Sequence, residues 1–250
     1  GSAEDAGADA ETAETQIMIK DVIHRLHREL PAAVKLVAVS KFHPFEAIEE
    51  TYEAGQKVFA ESRPQELMAK VRRLEEIRIE RCEPDYMSDV EWHFIGHLQT
   101  NKLKMVLPYV TLVQSVDSLR LLDAINSWGA ANSKVIAVLL EPHVAAEESK
   151  QGFEPSEILD VLNRRSDYPF IRFKGIMGMA TFTDNAAQVR NEFKNLKNIF
   201  ETLKENYFKA NDSFKEISMG MSDDYPIAIE EGATMVRVGS KIFGARNYNV

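Results

Sequence analysis

The sequence predicts a single α/β domain folded as a (β/α)8 TIM barrel with an extra helix at its N-terminal end. Eight short runs of strand type follow one another, and each but the last precedes a helical pattern long enough to return the chain. The length of 250 residues fits one such barrel. No internal repeat and no Pro/Gly linker marks a second domain. An open doubly wound sheet is the alternative.

The extra helix is predicted near Ile17 to Leu30, where apolar residues recur at helical spacing and Pro31 ends the pattern. The predicted strands are Lys35 to Lys41, Gln56 to Glu61, Glu91 to His97, Thr111 to Val116, Lys134 to Glu141, Ile171 to Met179, Phe214 to Met219 and Thr234 to Gly239. The predicted helices between them are Pro44 to Ala54, Pro64 to Arg78, Asn101 to Leu107, Ser118 to Ala130, Pro155 to Arg165, Asn185 to Tyr207 and Tyr225 to Glu231. The stretch Ile79 to Asp89 is predicted to be a mobile loop.

Composition sets limits on partners and location. The formal charge is −9, and five acidic residues lie within the first sixteen positions, which leaves a charge of about −4 for the rest of the chain. This acidic balance gives no indication of nucleic-acid binding. We expect residues 1–15 to be a disordered tail that includes a cloning remnant, and residues 16–247 to form the barrel. Cys82 is the only cysteine, which excludes an intrachain disulfide. Without a long apolar run, the protein is expected to be cytoplasmic and not bound to a membrane.

Lys41 is a candidate nucleophile because it closes the first predicted strand, Lys35-Leu-Val-Ala-Val-Ser-Lys41. An ammonium is costly beside buried strands unless it is paired or its pKa falls, and a neutral lysine amine attacks carbonyls. The segment therefore suggests a lysine that forms a Schiff base. The alternative is a lysine that only extends its charge to solvent at the strand end.

The last two predicted strands end in sequences suited to a phosphate. TIM barrels commonly bind phosphate in the loops after strands seven and eight. Here Ser218 and Gly220 lie near the end of one strand, and Gly239 and Ser240 near the end of the other. Glycine lets backbone N–H groups approach an anion, and serine adds a hydroxyl donor. Glycines that only relieve turns are the alternative.

Arg237 lies two residues before Gly239 on the same strand face, so its guanidinium is expected beside the phosphate loop. Its charge needs a partner, which an acidic neighbour or a pyridine nitrogen could supply; pyridoxal phosphate enzymes place an Asp or Arg at that nitrogen. Lys41, the two loops and Arg237 together describe an aldehyde-phosphate cofactor held at its carbonyl, its phosphate and its ring nitrogen, a description that pyridoxal 5'-phosphate (PLP) fits.

From about Ile17 to Arg246 the chain resembles the pyridoxal phosphate homeostasis proteins, single-domain relatives of the alanine racemase N-terminal barrel. The segments that carry the resemblance are Val37-Ala-Val-Ser-Lys41, Trp92-His-Phe-Ile-Gly-His-Leu-Gln-Thr-Asn-Lys102, Gly175-Ile-Met-Gly-Met179, Ser218-Met-Gly-Met-Ser222 and Arg237-Val-Gly-Ser-Lys-Ile-Phe-Gly244.

The resemblance implies a role for each main site residue. Lys41 would hold PLP as a Schiff base, Ser218 with the Gly239 and Ser240 amides would bind the phosphate, and Arg237 would face the ring nitrogen. Weaker candidates for cofactor contact are Val39, Ser62, Met177, Met219 and Gly220. The implied role is intracellular PLP (vitamin B6) and amino-acid homeostasis without established turnover.

The segment Ala60-Glu-Ser-Arg-Pro-Gln-Glu66 departs from the family's usual Gly-Glu-Asn-Tyr-Val-Gln-Glu. Ser62 replaces the usual asparagine, which weakens the expectation that this position faces the cofactor. Arg63 is expected to face solvent or a substrate carboxylate.

A metal site is rejected. His93 and His97 share one strand face, but no cluster of acids or cysteines at ligand spacing accompanies them. We expect them to be hydrogen-bonded strand histidines.

Three function classes stay open. The first is a PLP-binding homeostasis protein, a monomer or weak dimer that passes PLP to dependent apoenzymes. The second is a PLP enzyme such as an amino-acid racemase, which usually needs two bases; Lys41 supplies one, and we expect no second from a C-terminal domain. The third is a class I aldolase-like barrel that uses Lys41 on a sugar phosphate.

Overall fold

A computed structural model describes residues 19–144, 151–211 and 213–245. Eight parallel strands close into a barrel in chain order, so the predicted barrel is confirmed and the open sheet is excluded. The strands are β1, Lys35–Val39; β2, Val58–Glu61; β3, Glu91–Phe94; β4, Leu112–Val116; β5, Ile136–Leu140; β6, Ile171–Met177; β7, Glu216–Ser218; and β8, Met235–Val238.

Helices follow the strands and cover the barrel. They are α1, residues 19–29; α2, Phe45–Glu53; α3, Pro64–Glu80; α4, Leu119–Asn132; α5, Pro155–Asn163; α6, Ala186–Tyr207; α7, Tyr225–Glu230; and α8, Ser240–Phe243. 3₁₀ helices cover Thr100–Met105, where we expected an α-helix, and Arg165–Asp167. No helix in the three described segments is long and apolar enough to cross a bilayer.

The core has two layers. Inside the barrel, a small apolar cluster includes Val37, Ala60, Leu139 and Met235. A much larger cluster fills the space between the strands and the helices. The predicted extra helix belongs to this outer layer, because Ile19, Ile23 and Leu26 of α1 are buried there. The predicted tail, residues 1–15, and both predicted limits of the barrel, 16 and 247, lie outside the described residues.

Several strands end earlier than we predicted. β1 stops at Val39, so Ser40 and Lys41 lie on the turn that follows, and β7 has only three residues. The short helix α8 was not predicted, because four residues are too few to show a helical period.

The stretch predicted to be mobile, residues 79–89, begins inside α3. It is tied to the protein by Met87, which is buried, and by the Tyr86 hydroxyl, which donates to Glu49. The expectation of a mobile loop therefore has no support in the packing of this segment.

Candidate functional site

A cavity of about 1290 Å³ opens at the carboxyl ends of the barrel strands. Active sites of TIM barrels lie at this end. Residues from five of the strands and the loops that follow them line the cavity, and they include Val39, Lys41, Glu141, Met179, Ser222, Gly239 and Ser240. The structure thus brings together four residues predicted for cofactor binding: Lys41, Gly239, Ser240 and the weaker candidate Val39.

The turn that carries Lys41 has an unusual backbone. Phe42, the next residue, has φ +66°, a left-handed conformation that costs a non-glycine residue about 1 to 2 kcal/mol. Such a conformation persists only where the surroundings determine it. The Phe42 N–H donates to Glu66 Oε2 at 2.7 Å, and the Arg63 guanidinium lies 4.5 Å from the centre of the Phe42 ring.

Lys70 holds the other side of this turn. Its ammonium, 4% exposed, donates to the Ser40 carbonyl, to Glu61 Oε1 and to Glu66 Oε2, each at 2.8 Å. The Ser40 hydroxyl also donates to Glu61. The residues on both sides of Lys41 are therefore held by one buried ionic network formed by Glu61, Glu66 and Lys70, which rigid elements β2 and α3 supply.

Arg63 adds a second cation to the network, and its Nη2 lies 2.8 Å from Glu66 Oε1. Burial raises the pKa of Glu61 to about 7, although Lys70 opposes this. Burial would also raise the pKa of Glu66, but hydrogen bonds from Lys70 and Arg63 lower it. Glu66 is therefore the ionised partner of Lys70 at neutral pH, and Arg63 binds this carboxylate while its side chain stays 46% exposed.

One end of the cavity lies between the loops after β7 and β8. Ser222 Oγ accepts hydrogen bonds from the backbone N–H groups of Gly239 at 3.2 Å and Lys241 at 3.4 Å. A Cβ added to Gly239 would lie 3.2 Å from Val39, so glycine keeps this strand end close to β1. A hydroxyl and converging amides form the kind of concavity that binds phosphate.

Ser218 does not lie at this end, contrary to the sequence-based expectation. It is fully buried below the cavity, where its hydroxyl donates to Gln114 Oε1 at 2.6 Å and accepts from Arg237 Nη1 at 2.6 Å. Within the motif that begins at Ser218, the last serine, Ser222, is the one that lines the cavity.

Arg237 also lies below the cavity floor rather than projecting into the mouth, and it is 2% exposed. Its Nη2 donates to the Gly178 carbonyl at 3.0 Å. Burial lowers its pKa to about 10, against the opposing charges of Glu141 and Asp224, so it stays a cation at neutral pH. Two of its five N–H donors serve the described hydrogen bonds to Ser218 and Gly178.

A polar chain continues from Arg237 into the barrel. Gln114, which sequence reasoning missed, joins Ser218 to His93, and its Nε2 lies 2.8 Å from His93 Nδ1. A polar residue within the apolar run Leu112-Val-Gln-Ser-Val116 was the available signal. Burial lowers the pKa of His93 to about 3, so the ring is neutral. His93 is a hydrogen-bonded strand histidine as we expected, whereas His97 is exposed, 4.0 Å from Asp117.

The other weak candidates do not line the cavity. Met177 packs inside the barrel, and Met219 is buried in the outer core. Gly220 has φ +99° and packs against α7, where an added Cβ would lie 2.7 Å from Ala228. Its conformation and the close packing against α7 explain the glycine. The backbone of Ser62 packs against Gly96, and a Cβ added to Gly96 would lie 2.1 Å from the Ser62 carbonyl oxygen.

Glu141 is a second cavity residue that the motifs did not identify. It follows β5, is 9% exposed, and its pKa is raised to about 7 by burial and by Asp117, against the attraction of Arg237. A buried carboxyl group with a perturbed pKa in a cleft is typical of a functional residue.

Comparison with known proteins identifies the family. A family model described as "Alanine racemase, N-terminal domain" matches residues 18–247. The pyridoxal phosphate homeostasis protein of Haemophilus influenzae is 38% identical over 216 residues, which are 86% of each chain. The human protein of that name is 36% identical over 242 residues, 92% of this chain and 84% of the relative.

The chain belongs to the pyridoxal phosphate homeostasis protein family. The resemblance noted in the sequence is thereby confirmed. Among solved structures, PipY of Synechococcus elongatus, described with PLP bound, has a TM-score of 0.80 and 31% identity, and the match covers 90% of this chain and all of PipY. Alanine racemase of E. faecalis, at 15% identity and a TM-score of 0.64, shows that the barrel fold is shared.

Proposed function

We propose that this pyridoxal phosphate homeostasis protein binds PLP in the mouth cavity as a Schiff base on Lys41 and maintains the intracellular supply of PLP. The observation that carries the proposal is that the Lys41 amine and the anion-binding end formed by Ser222, Gly239 and Ser240 line one cavity. An aldehyde phosphate needs these two contacts together, an amine for its carbonyl carbon and donors for its phosphate. The PLP described in PipY supports the same cofactor here.

The residues below the cavity complete the site. We assign Arg237 as the partner of the ring nitrogen, because it is a buried cation bonded to the cavity residue Gly178, and its hydrogen bonds to the described residues engage two of its five N–H donors. Ser218 orients Arg237 and does not contact the phosphate. When bound, PLP supplies an aldehyde that condenses with amines and a ring that withdraws electrons. A permanent cation at the ring nitrogen disfavours its protonation, which favours a holding role over catalysis.

The protein is proposed to act in the cytoplasm as a monomer or weak dimer, with PLP-dependent apoenzymes as recipients. The name of its relatives supports a homeostatic role. Sedimentation equilibrium with and without PLP measures the oligomeric state. Transfer of PLP to an apoenzyme, followed through that enzyme's recovered activity, measures delivery.

The assignment of the phosphate end is tested by comparing PLP with pyridoxal, which lacks the phosphate. Ser222→Ala removes one hydrogen bond to a charged group, so we expect PLP binding to weaken by about 1.5 to 3 kcal/mol while pyridoxal binding is unchanged. Ser218→Ala is the matched control: it acts through Arg237 and weakens both ligands alike. Absorbance titrations of wild type and both variants with each ligand measure the six affinities. Loss of PLP preference in Ser218→Ala alone would contradict the assignment.

A further inference from the structure

The wall of the cavity opposite Lys41 carries a carboxyl group that the proposed holding function does not use. In a closed barrel of eight strands in chain order, β1 and β5 face each other. Lys41 follows β1 and Glu141 follows β5, so the two side chains line opposite sides of the cavity.

The backbone of Glu141 is fixed from both sides. Its N–H donates to the Val116 carbonyl at 2.8 Å, and its own carbonyl accepts from the Phe153 N–H at 2.8 Å. The carboxyl group is therefore presented by a continuation of the sheet and not by a loose loop. Preorganised groups of this kind are what binding and proton transfer require.

The carboxyl group of Glu141 has an unfilled hydrogen-bonding capacity. It is 9% exposed, and within residues 19–144, 151–211 and 213–245 no hydrogen bond or ion pair to its oxygens is formed. The charged groups that face it are Asp117 after β4 and Arg237 on β8, with Lys41 across the cavity. No buried side-chain oxygen of the described residues lacks a hydrogen-bond partner, so the Glu141 oxygens are open to the cavity, where a ligand can reach them.

The chemistry that fits Glu141 is a primary amine. The ammonium of the amine donates hydrogen bonds to the Glu141 carboxylate and neutralises its negative charge. The proposed phosphate site lies at the other end of the same cavity. An ammonium cannot attack a carbon until it loses a proton, and Glu141 can accept that proton because its pKa is raised to about 7 by burial.

We propose that Glu141 binds the ammonium group of a primary amine or amino acid and accepts its proton, so that the amine displaces Lys41 from PLP. This proposal rests on the proposed function. The proton moves from the amine nitrogen to the Glu141 carboxylate, and the neutral amine forms a new bond to the cofactor carbon that Lys41 holds as a protonated Schiff base. One proton then passes from the incoming nitrogen to Lys41 Nζ, the bond from the carbon to Nζ breaks, and Lys41 leaves as a neutral amine while the incoming nitrogen keeps the protonated double bond. No oxidant or reductant is needed, and PLP leaves as an adduct of the amine.

The test measures release of PLP from the loaded protein by ethylamine, through PLP in the ultrafiltrate. Trimethylamine, which cannot form a carbon–nitrogen double bond, is the chemical control. At pH 7 we expect Glu141→Gln to slow ethylamine-driven release about 10²-fold, the usual contribution of a general base. Above roughly pH 10.4, the ordinary pKa of an alkylamine, the amine is already neutral and the rates of variant and wild type converge. Asp184→Asn, which removes an exposed carboxylate at the cavity rim, leaves release unchanged.

Two further measurements separate this role from a structural one. Glu141→Asp keeps the carboxylate and recovers part of the rate with the wild-type pH profile. In protein without PLP, the ¹³C signal of the Glu141 carboxyl, assigned by its loss in Glu141→Gln, shifts when ethylammonium is added. An unshifted signal, or Glu141→Gln that loads PLP and releases it at the wild-type rate, overturns the inference. Wild-type protein that never forms a visible PLP band overturns the proposed function instead.

Discussion

At the scale of single residues, the residues on both sides of Lys41 are held by charged side chains that lie far from it along the chain. Phe42 adopts a left-handed backbone conformation. The Ser40 hydroxyl donates to Glu61, and the Ser40 carbonyl accepts from Lys70, so Ser40 is tied to the ionic network of Glu61, Glu66 and Lys70. A lysine on an unsupported turn would sample many positions. The buried network restricts the backbone on both sides of Lys41, and we infer that it positions the amine for the cofactor's carbonyl carbon.

Lys70→Met tests this positioning role. Removing the cation leaves the buried Glu61 without an ionic partner and Glu66 with Arg63 alone, and breaking a buried pair typically costs about 3 to 5 kcal/mol. We expect a lower free energy of unfolding, measured in urea, and slower formation of the PLP band. Lys209→Met removes a lysine from the exposed pair with Glu205 and is expected to cost less than about 1 kcal/mol.

The positioning role has its own readout within the same series. Lys70→Arg keeps the charge and is expected to recover the rate of band formation. If Lys70→Met binds PLP at the wild-type rate despite lower stability, the network is structural only.

At the scale of elements, the sequence was sufficient for the barrel but not for the ends of its strands. Strand and helix periods alternate clearly, so the order and type of nearly every element could be predicted. Side-chain direction could not be followed past a strand end. Ser218 is the last residue of β7 and is buried in hydrogen bonds with Gln114 and Arg237, whereas Ser222 lines the cavity. Between them Gly220 has φ +99°, which departs from strand geometry, so strand periodicity no longer predicts which side chains face the cavity.

The ionic network beside Lys41 was hidden for a different reason. Glu66 and Lys70 have the spacing of an ordinary exposed i, i+4 pair, and a solvated first turn of α3 explained the acids equally well. Only the packing of α3 against β2 and the turn after β1 shows that the pair is buried. Glu141 was likewise unremarkable in sequence, because its burial depends on strands that are distant along the chain.

At the scale of the whole molecule, the cavity carboxyl group affects stability as well as ligand binding. Burial raises the pKa of Glu141 from 4.5 to about 7, so the folded state binds more protons than the unfolded state between these values. Stability therefore falls as the pH rises from about 4.5 to about 7, and the cost persists above pH 7. Natural active sites often carry such a cost for the sake of function.

Glu141→Gln removes this titration and makes the cost measurable. At pH 8 we expect the variant without PLP to be more stable than wild type, on the order of 1 kcal/mol, or a rise in Tm of about 2 to 4 °C for a chain of this size. At pH 4.5 the advantage shrinks, because the wild-type carboxyl group is largely protonated. Thermal unfolding followed by circular dichroism at both pH values gives the comparison. An equal difference at the two pH values would contradict the raised pKa.

The central claim is that Lys41 is the residue that holds PLP, and borohydride reduction followed by peptide mapping tests it most directly. Reduction fixes the cofactor on the amine that binds it. The account predicts a pyridoxyl-phosphate mass on Lys41, together with a Lys41→Ala variant that keeps the wild-type Tm without PLP and forms no visible band. An adduct mapped to Lys35, Lys57 or Lys241, with Lys41 unmodified, would contradict the account.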